Sequence, residues 1–173
     1  MATGDVDLRW ATDVDLTLDV STGPLASDAN LLAGRESTVV VSSSQSFVED
    51  FLLSGQFTTG TGPTADRVIE VWAYAQIRDT PVYPDVLDGT DSNETITSTG
   101  IKNAALKLVA VLPTDGTNDR AYLFGPVSVA SLFGGILPER WGVFVVHNTG
   151  VAFNSTAGNH FVAAAPVYSN IAA

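Results

Sequence analysis

Cysteine is absent from this 173-residue chain, and several kinds of chemistry are absent with it. Disulfide bridges, thiolate nucleophiles and cysteine-based zinc sites all require the missing side chain. With 45% hydrophobic residues, a chain of this length can bury one core but is short for two domains. Its stability is therefore expected to come from a single hydrophobic core or from assembly with other chains.

Basic residues are scarce. There are 8 lysines and arginines against 19 acidic residues, a formal net charge of -11, and the only lysines are Lys102 and Lys107. A protein that binds nucleic acid needs a basic surface to neutralise the phosphates. Binding to DNA or RNA is therefore not expected, and the same negative charge disfavours anionic membrane surfaces.

The chain also lacks long apolar runs. Residues 1–7 contain neither the basic nor the apolar part of a secretory signal, and no run approaches the ~20 apolar residues of a membrane-spanning helix. We expect synthesis in a cytoplasm and no membrane partner. The glycosylation sequons at Asn93 and Asn154 carry no weight, because their modification requires secretion.

Motifs for catalysis and for cofactor binding are missing as well. No Gly-x-Ser-x-Gly elbow occurs, and residues 60–63 lack the lysine and helix of a phosphate-binding loop. Of the two histidines, His147 alternates with valines in an apolar run, which favours a structural role, and His160 has no triad signature near it. Glu70 has no identifiable partner for a glycosidase pair. We expect no enzyme and no cofactor, with a hydrolase as the least favoured alternative.

Residues 85–94 form an acidic loop. It supplies oxygen ligands of the kind that Ca²⁺ prefers, from Asp85, Asp88, Asp91, Asn93 and Glu94. Their spacing does not match an EF-hand, and acidic residues in a solvated turn are commoner than metal ligands. No metal site is predicted, although Ca²⁺ binding by this loop is left open.

The strongest positive signal is the alternation of residues 67–78, which is typical of a half-buried strand. One face is apolar, and the other is polar except for Trp72 and Tyr74. Two aromatics on a polar face can stack a sugar ring or anchor a protein partner. Alternatively, a loop or the N-terminal segment covers them.

The same two alternatives, an anchor for a partner or a covered side chain, apply to Trp10 and the adjacent Arg9, which lie in an otherwise polar N-terminal segment. An arm with one large anchor is a plausible docking element. The candidate partner-binding residues are therefore Arg9, Trp10, Trp72 and Tyr74.

The remaining pattern predicts an all-β fold. Further strands are expected at residues 16–20, 37–44, 51–59, 105–112, 120–129, 140–148 and 160–168, with a long loop at 79–100. Strands with regular turn signals and no helical periodicity favour an antiparallel β-sandwich, more specifically a jelly roll. We divide the chain into an N-terminal arm, residues 1–15, and a single sandwich domain, residues 16–173.

Within these strands, Gly55 suggests a bulge, Pro113 ends a strand, Gly125-Pro126 interrupts one, and Pro166 marks an edge or a bulge. Residues 130–137 fit a helical turn or a buried loop. Residues 140–148 are apolar on both sides, so this strand is expected to be central and covered on both faces.

Several segments resemble small virion proteins of tailed bacteriophages. They are LLAGRES (31–37), VYPDVLDG (82–89), SVASLFGG (128–135), PERWG (138–142) and HNTG (147–150). The resemblance implies a capsid-associated protein of the head decoration or cement type, located on the outside of the virion head. Such proteins are often β-rich and frequently trimeric, and they sit over junctions between major capsid subunits. The resemblance assigns no individual functional residue.

Three classes of function remain open at this point. A cement protein would dock on the major capsid protein through the arm with Arg9 and Trp10, and its flat faces would pack into a symmetric homo-oligomer. A tail or fibre module would expose Trp72 and Tyr74 to glycans. A hydrolase would need a pocket that unites a histidine, an acid and a nucleophile.

Overall fold

The structure is a computed structural model that describes residues 6–44 and 47–171. Its strands are β1 (Val6–Trp10), β2 (Val14–Asp15), β3 (Ala33–Glu36), β4 (Val40–Val41), β5 (Val48–Thr58), β6 (Ala65–Ala75), β7 (Ser92–Thr95), β8 (Lys107–Asp115), β9 (Ala121–Ser128), β10 (Arg140–His147) and β11 (Phe161–Ile171). Its helices are α1 (Thr99–Ala105) and α2 (Val129–Leu132), and Ser42–Ser44 forms a 3₁₀ turn.

The strands form two antiparallel sheets that pack as a sandwich. In the first sheet the order is β1-β11-β5-β9, with β2 also paired to β11. In the second the order is β7-β3-β10-β6-β8, with β4 also paired to β10. The predicted all-β sandwich is therefore confirmed, while the jelly-roll topology stays a prediction.

The main core lies between the sheets and consists of apolar side chains that alternate along the long strands. Phe51, Leu53 and Phe57 point inward from β5, and Ile69 and Val71 do so from β6. All five are fully buried, as the period of two requires for a strand with one face on the core. Burying a side chain of this size stabilises the fold by ~1.5 to 3 kcal/mol.

β10 is the central strand of the second sheet. Its residues from Trp141 to His147 are all buried, and it pairs with β6 on one side and with β3 and β4 on the other. The ring of Trp141 lies 5.5 Å from that of Phe51 across the core. The prediction of a central strand covered on both faces is confirmed.

A second hydrophobic cluster explains why β10 is buried on both of its faces. It lies on the outer side of the second sheet, where Trp72, Tyr74 and Phe144 pack beneath Tyr83, Leu87, Ile96 and Leu106. We call residues 82–91 and 96–106, which include α1, the covering layer. The molecule thus has three layers, namely the first sheet, the second sheet and the covering layer.

The described part of the N-terminal segment forms strands, and a separate N-terminal arm stays a prediction. Residues 6–15 contain β1 and β2, and both strands pair with β11 at the edge of the first sheet. Residues 1–5 of the predicted arm lie outside the described residues. The strand expected at 16–20 does not form, because the Asp19 carboxylate accepts hydrogen bonds from the backbone N–H groups of Ser21 and Thr22 and turns the chain.

Two other segments were predicted wrongly for similar local reasons. Only Val40–Val41 is a strand within 37–44, since the hydroxyl groups of Ser37 and Ser44 bond to nearby backbone carbonyls and compete with a ladder. The expected loop at 79–100 contains β7 and the start of α1. Ser98 caps that helix by accepting a hydrogen bond from the N–H of Ile101.

The prolines behave differently from one another. β8 continues past Pro113, which an edge strand tolerates. β9 continues through the cis Gly125–Pro126 bond, but both residues oppose Ser54, so the ladder with β5 is interrupted there as predicted, and the register shift beside Gly55 has its extra residue on β9. Pro166 pairs in register with Phe51 inside the sheet, and the next register shift lies between Val167 and Tyr168, with its extra residue on β5.

Candidate functional site

Trp72 and Tyr74 are not on the surface of the described structure. Trp72 is 7% exposed and Tyr74 is fully buried, both under the covering layer. The Tyr74 hydroxyl donates to the Ser37 carbonyl at 3.0 Å, and its ring meets that of Tyr83 edge to face. The expected exposed aromatic platform is therefore wrong, and the alternative, a loop that covers the pair, is the arrangement found.

A charged pair fastens the covering layer to β6. The ammonium group of Lys102, on α1, donates to Glu70 Oε2 at 2.8 Å and to the Leu31 carbonyl at 2.7 Å. The same carboxylate oxygen accepts from the Trp72 indole N–H at 2.9 Å, and Lys102 Nζ lies 4.9 Å from the centre of the Trp72 ring. Glu70 thus has a structural partner that its position in the sequence did not reveal.

A second carboxylate is buried in the same region. Glu36 is fully buried and accepts hydrogen bonds from the backbone N–H groups of Asp88 and Gly89. Burial raises the pKa of Glu36, and these hydrogen bonds counteract the shift. The carboxylate therefore holds the loop at residues 88–89 against the second sheet.

The two histidines have structural surroundings. His147 is fully buried, and its ring nitrogens lie 2.9 Å from Thr149 Oγ1 and 3.0 Å from the Leu25 carbonyl oxygen. Burial lowers the pKa of His147 to about 4, so the ring is neutral at pH 7. His160 Nε2 lies 2.8 Å from the Asn154 carbonyl oxygen. The ring nitrogens of both histidines thus contact groups of the surrounding fold and no nucleophile that they could activate, which agrees with the structural interpretation of His147.

The carboxylates of the acidic loop each bind a different partner. Asp85 accepts from the backbone and hydroxyl of Thr97, Asp88 accepts from Thr90, and Asp91 pairs with Arg35 at 2.6 Å. Among the residues that the structure describes, no group of three or more histidine, aspartate or glutamate side chains could hold a metal ion.

The outer face of the first sheet is different, because several large apolar side chains are exposed there in the described part of the chain. Mainly uncharged side chains share this face, with Asp50 opposite Val167 and Asp15 opposite Ala163, and we call it the open face. Its members are Leu8, Trp10, Leu52, Ser54, Gln56, Leu123, Phe161, Ala163, Ala165 and Val167.

The most exposed members of the open face are large. Leu123 is 66% exposed, Trp10 61%, Leu8 55% and Phe161 45%. The strand pairing places Phe161, Gln56 and Leu123 in one row across three strands. Trp10, on β1, lies opposite Val167, on β11. Large contiguous apolar surfaces on soluble proteins mark sites of interaction.

The four predicted partner-binding residues do not form one site. Trp10 belongs to the open face, and Arg9 is exposed on the other face of β1, opposite Tyr168. Trp72 and Tyr74 lie on the far side of the sandwich, beneath the covering layer. Of the three predicted aromatic residues, Trp10 is therefore the one exposed to a partner.

Sequence reasoning missed the other large members of the open face. Residues 161–167 are apolar on both sides of the strand, which predicts cover on both faces, whereas Phe161 on the outer face is 45% exposed in the described structure. A strand that is apolar on both sides while only one side packs on the core is the signal that could have identified Phe161. Leu123 lies in a similar run, Ala121 to Phe124, which is apolar on both sides of the edge strand β9.

Comparison with known proteins identifies no relative, since no family model, no curated protein and no solved structure matches the chain. Within residues 6–44 and 47–171, neither helix is long and apolar enough to span a membrane. The function must therefore be argued from the residues of this chain.

Proposed function

We propose that this chain is a non-enzymatic structural protein of a tailed-phage virion, of the head decoration or cement type. It binds the outside of the head through the major capsid protein and stabilises the shell as a symmetric homo-oligomer. The protein is made in the bacterial host cytoplasm and contacts neither nucleic acid nor a membrane.

The open face is the observation that carries this proposal. It offers large exposed apolar side chains, which are typical of the centre of a protein–protein interface, with the acids Asp15 and Asp50 beside them. A rigid sheet presents such a surface with little loss of conformational entropy on binding. The segments that resemble phage virion proteins supply the identity of the particle.

The other two functions have less support. A glycan-binding module was argued from Trp72 and Tyr74, and burial removes both rings from any sugar. A hydrolase was argued from the histidines, and their ring nitrogens already have partners within the fold. Neither alternative gains a specific observation in its favour.

Co-sedimentation tests the proposal directly. Undecorated shells of the phage's major capsid protein are mixed with the chain and pelleted, and bound chain is measured against a mock pellet. Saturable binding at a fixed ratio to capsid subunits is expected, together with greater resistance of the shell to heat. No binding, or binding to glycan beads instead of shells, would overturn it.

Two single substitutions locate the attachment. Trp10→Ala removes the exposed indole, and Ile77→Ala serves as a control that is 62% exposed on the loop after β6. Deletion of residues 1–15 is a poorer test, because it removes β1 and β2 and leaves an edge of β11 unpaired. Weaker attachment of Trp10→Ala alone is expected if β1 contacts the shell.

A further inference from the structure

His160 joins the loop between β10 and β11, residues 148–159, to strand β5. We call this segment the closing loop. Nδ1 of His160 lies 3.3 Å from the backbone nitrogen of Thr58, and Nε2 lies 2.8 Å from the carbonyl oxygen of Asn154. Thr58 is the last residue of β5, two residues beyond the final pair of the ladder with β11, Gln56 and Phe161. The imidazole thus takes the place of a strand partner where the ladder ends.

The two partners determine the protonation state of this ring. A backbone N–H group only donates and a backbone carbonyl only accepts, so Nδ1 must be the acceptor and Nε2 must carry the hydrogen. A neutral imidazole has one donor and one acceptor nitrogen and satisfies both contacts, whereas an imidazolium donates from both nitrogens. Protonation of His160 therefore sets a second N–H against that of Thr58, and this hydrogen bond is lost.

His147 does not have this conflict. Its Nε2 faces the Leu25 carbonyl, and its Nδ1 lies 2.9 Å from the hydroxyl oxygen of Thr149, which also lies 3.1 Å from the Val151 carbonyl. A hydroxyl both donates and accepts, so this one can accept from a protonated ring while it donates to Val151. Protonation of His147 buries a charge without the loss of a hydrogen bond, so the two histidines differ in their response to acid. A charge on His160 also lowers the pKa of His147.

The acids around His160 offer a second position for a charged ring. Asp15 and Asp19 line the same hollow as His160, and Asp119 accepts a hydrogen bond from the side chain of Asn154. Burial lowers the pKa of His160, while the hydrogen bond to Asn154 and the charge of Asp19 act in the opposite direction. An imidazolium that has left Thr58 is therefore attracted to these carboxylates.

Thr58 holds the closing loop through three groups. Besides the N–H that His160 accepts, its carbonyl accepts from the N–H of Asn154 at 3.1 Å, and its hydroxyl donates to the carbonyl of Asn159 at 2.8 Å. Residues 155–158, between these contacts, are exposed, whereas Thr58 is only 3% exposed. A buried N–H that loses its acceptor is unfavourable, and movement of the loop away from the strand restores its contact with water.

We propose that His160 is an acid-sensitive latch. Its neutral ring holds the closing loop on β5, and protonation breaks the bond to Thr58, so that the ring turns towards Asp15 and Asp19 and residues 154–159 leave the strand. Phe57, which is fully buried with its ring centre 6.3 Å from that of His160, then becomes accessible at this end of the sandwich.

The direction of the response follows from proton binding. The pKa of His160 is lowered from 6.5 in the closed form and returns towards that value when the ring is released, so the open form binds more protons. Opening is therefore favoured as the pH falls below about 6.5.

Amide hydrogen exchange measured by NMR tests the latch. After division by the intrinsic rate at each pH, exchange of the Thr58 amide should quicken between pH 7 and pH 5 by about tenfold more than that of the Gln76 amide. The Gln76 N–H bonds to the Arg140 carbonyl at the start of β10, far from His147 at its end, and reports on the rest of the fold. Equal changes of both amides, or no change of either, would overturn the proposal.

Two glutamine variants assign the response to one ring. His160→Gln supplies one donor and one acceptor but takes up no proton, so the Thr58 and Gln76 amides should change in parallel. His147→Gln is the matched control, because it keeps His160 and should open as the wild type does. An acid response that persists in His160→Gln, or that is lost in His147→Gln, would refute the assignment.

The imidazole nitrogens of the wild type give a measurement that needs no variant. With ¹⁵N-labelled histidine, His160 should carry its hydrogen on Nε2 at pH 7, and Nδ1 should take up a proton over the same pH range in which the Thr58 amide loses protection. A neutral ring with its hydrogen on Nδ1, or a protonated ring beside a Thr58 amide that is still protected, would show that His160 is not the latch.

Discussion

The contact between Lys102 and Glu70 should decide whether the covering layer stays closed over Trp72. In Lys102→Met the aliphatic stem is kept, but Glu70 loses its cation and the Leu31 carbonyl loses its donor. The side chain of Lys102 is 4% exposed and that of Glu70 is 17% exposed, so water reaches the remaining carboxylate only in part.

The expected cost can be worked from this geometry. Loss of a hydrogen bond to a charged group costs about 1.5 to 3 kcal/mol, and breaking a fully buried ion pair costs about 3 to 5 kcal/mol. Because Glu70 keeps the Trp72 indole N–H and some solvent, we expect the free energy of unfolding to fall by about 2 to 3 kcal/mol. With a urea dependence of about 2 kcal/mol per molar, the midpoint should drop by about 1 to 1.5 M.

Lys107→Met is the matched control, because Lys107 is the only other lysine and is exposed on β8. It should change the free energy of unfolding by less than about 0.5 kcal/mol. Equilibrium urea unfolding followed by tryptophan fluorescence measures both variants. If Lys102→Met unfolded at the same urea concentration as Lys107→Met, the ion pair would not fasten the covering layer.

Three further predictions follow from buried groups. The pKa of His147 lies below that of an unfolded histidine, so the unfolded state binds its proton first and stability is lost as pH falls from about 6.5 towards 4. The stability difference between wild type and His147→Gln should therefore shrink by about 2 to 3 kcal/mol between pH 7 and pH 4.5, and an unchanged difference in urea unfolding would refute this. Replacing Trp72 or Tyr74 by Ala should cost about 3 to 5 kcal/mol in the same assay, whereas a stable variant that had lost only a binding activity would show that the rings are accessible. Gly34→Ala should lower the melting temperature steeply, because its Cβ would collide with the backbone of β10, while Gly100→Ala on α1 meets nothing closer than 3.8 Å and should be neutral or slightly stabilising.

The parts of the fold that were predictable are those where burial alone sets the pattern. β6 alternates, and β10 is apolar on both sides, because each strand's surroundings require those residues along its whole length. The interruption predicted at Gly125-Pro126 is present, because two residues of β9 there oppose one residue of β5.

The parts that failed depend on contacts that are distant in sequence or on short side chains. Nothing near Trp72 indicates that α1, about 30 residues further on, returns to cover it. Asp19 and Ser37 redirect the backbone through their own hydrogen bonds, which no apolar period records. The open face was missed because a strand that is apolar on both sides looks the same whether its second face is covered within the chain or left bare.

The covering layer makes the two broad sides of the sandwich unequal. One side is covered by α1 and the loop at residues 82–91, and on the other Leu8, Trp10, Leu123 and Phe161 are exposed. The edge strands β8 and β9 each contain a proline, which lacks the backbone N–H group that pairing with a further strand would need. These two edges are therefore poor templates for the addition of strands from other chains.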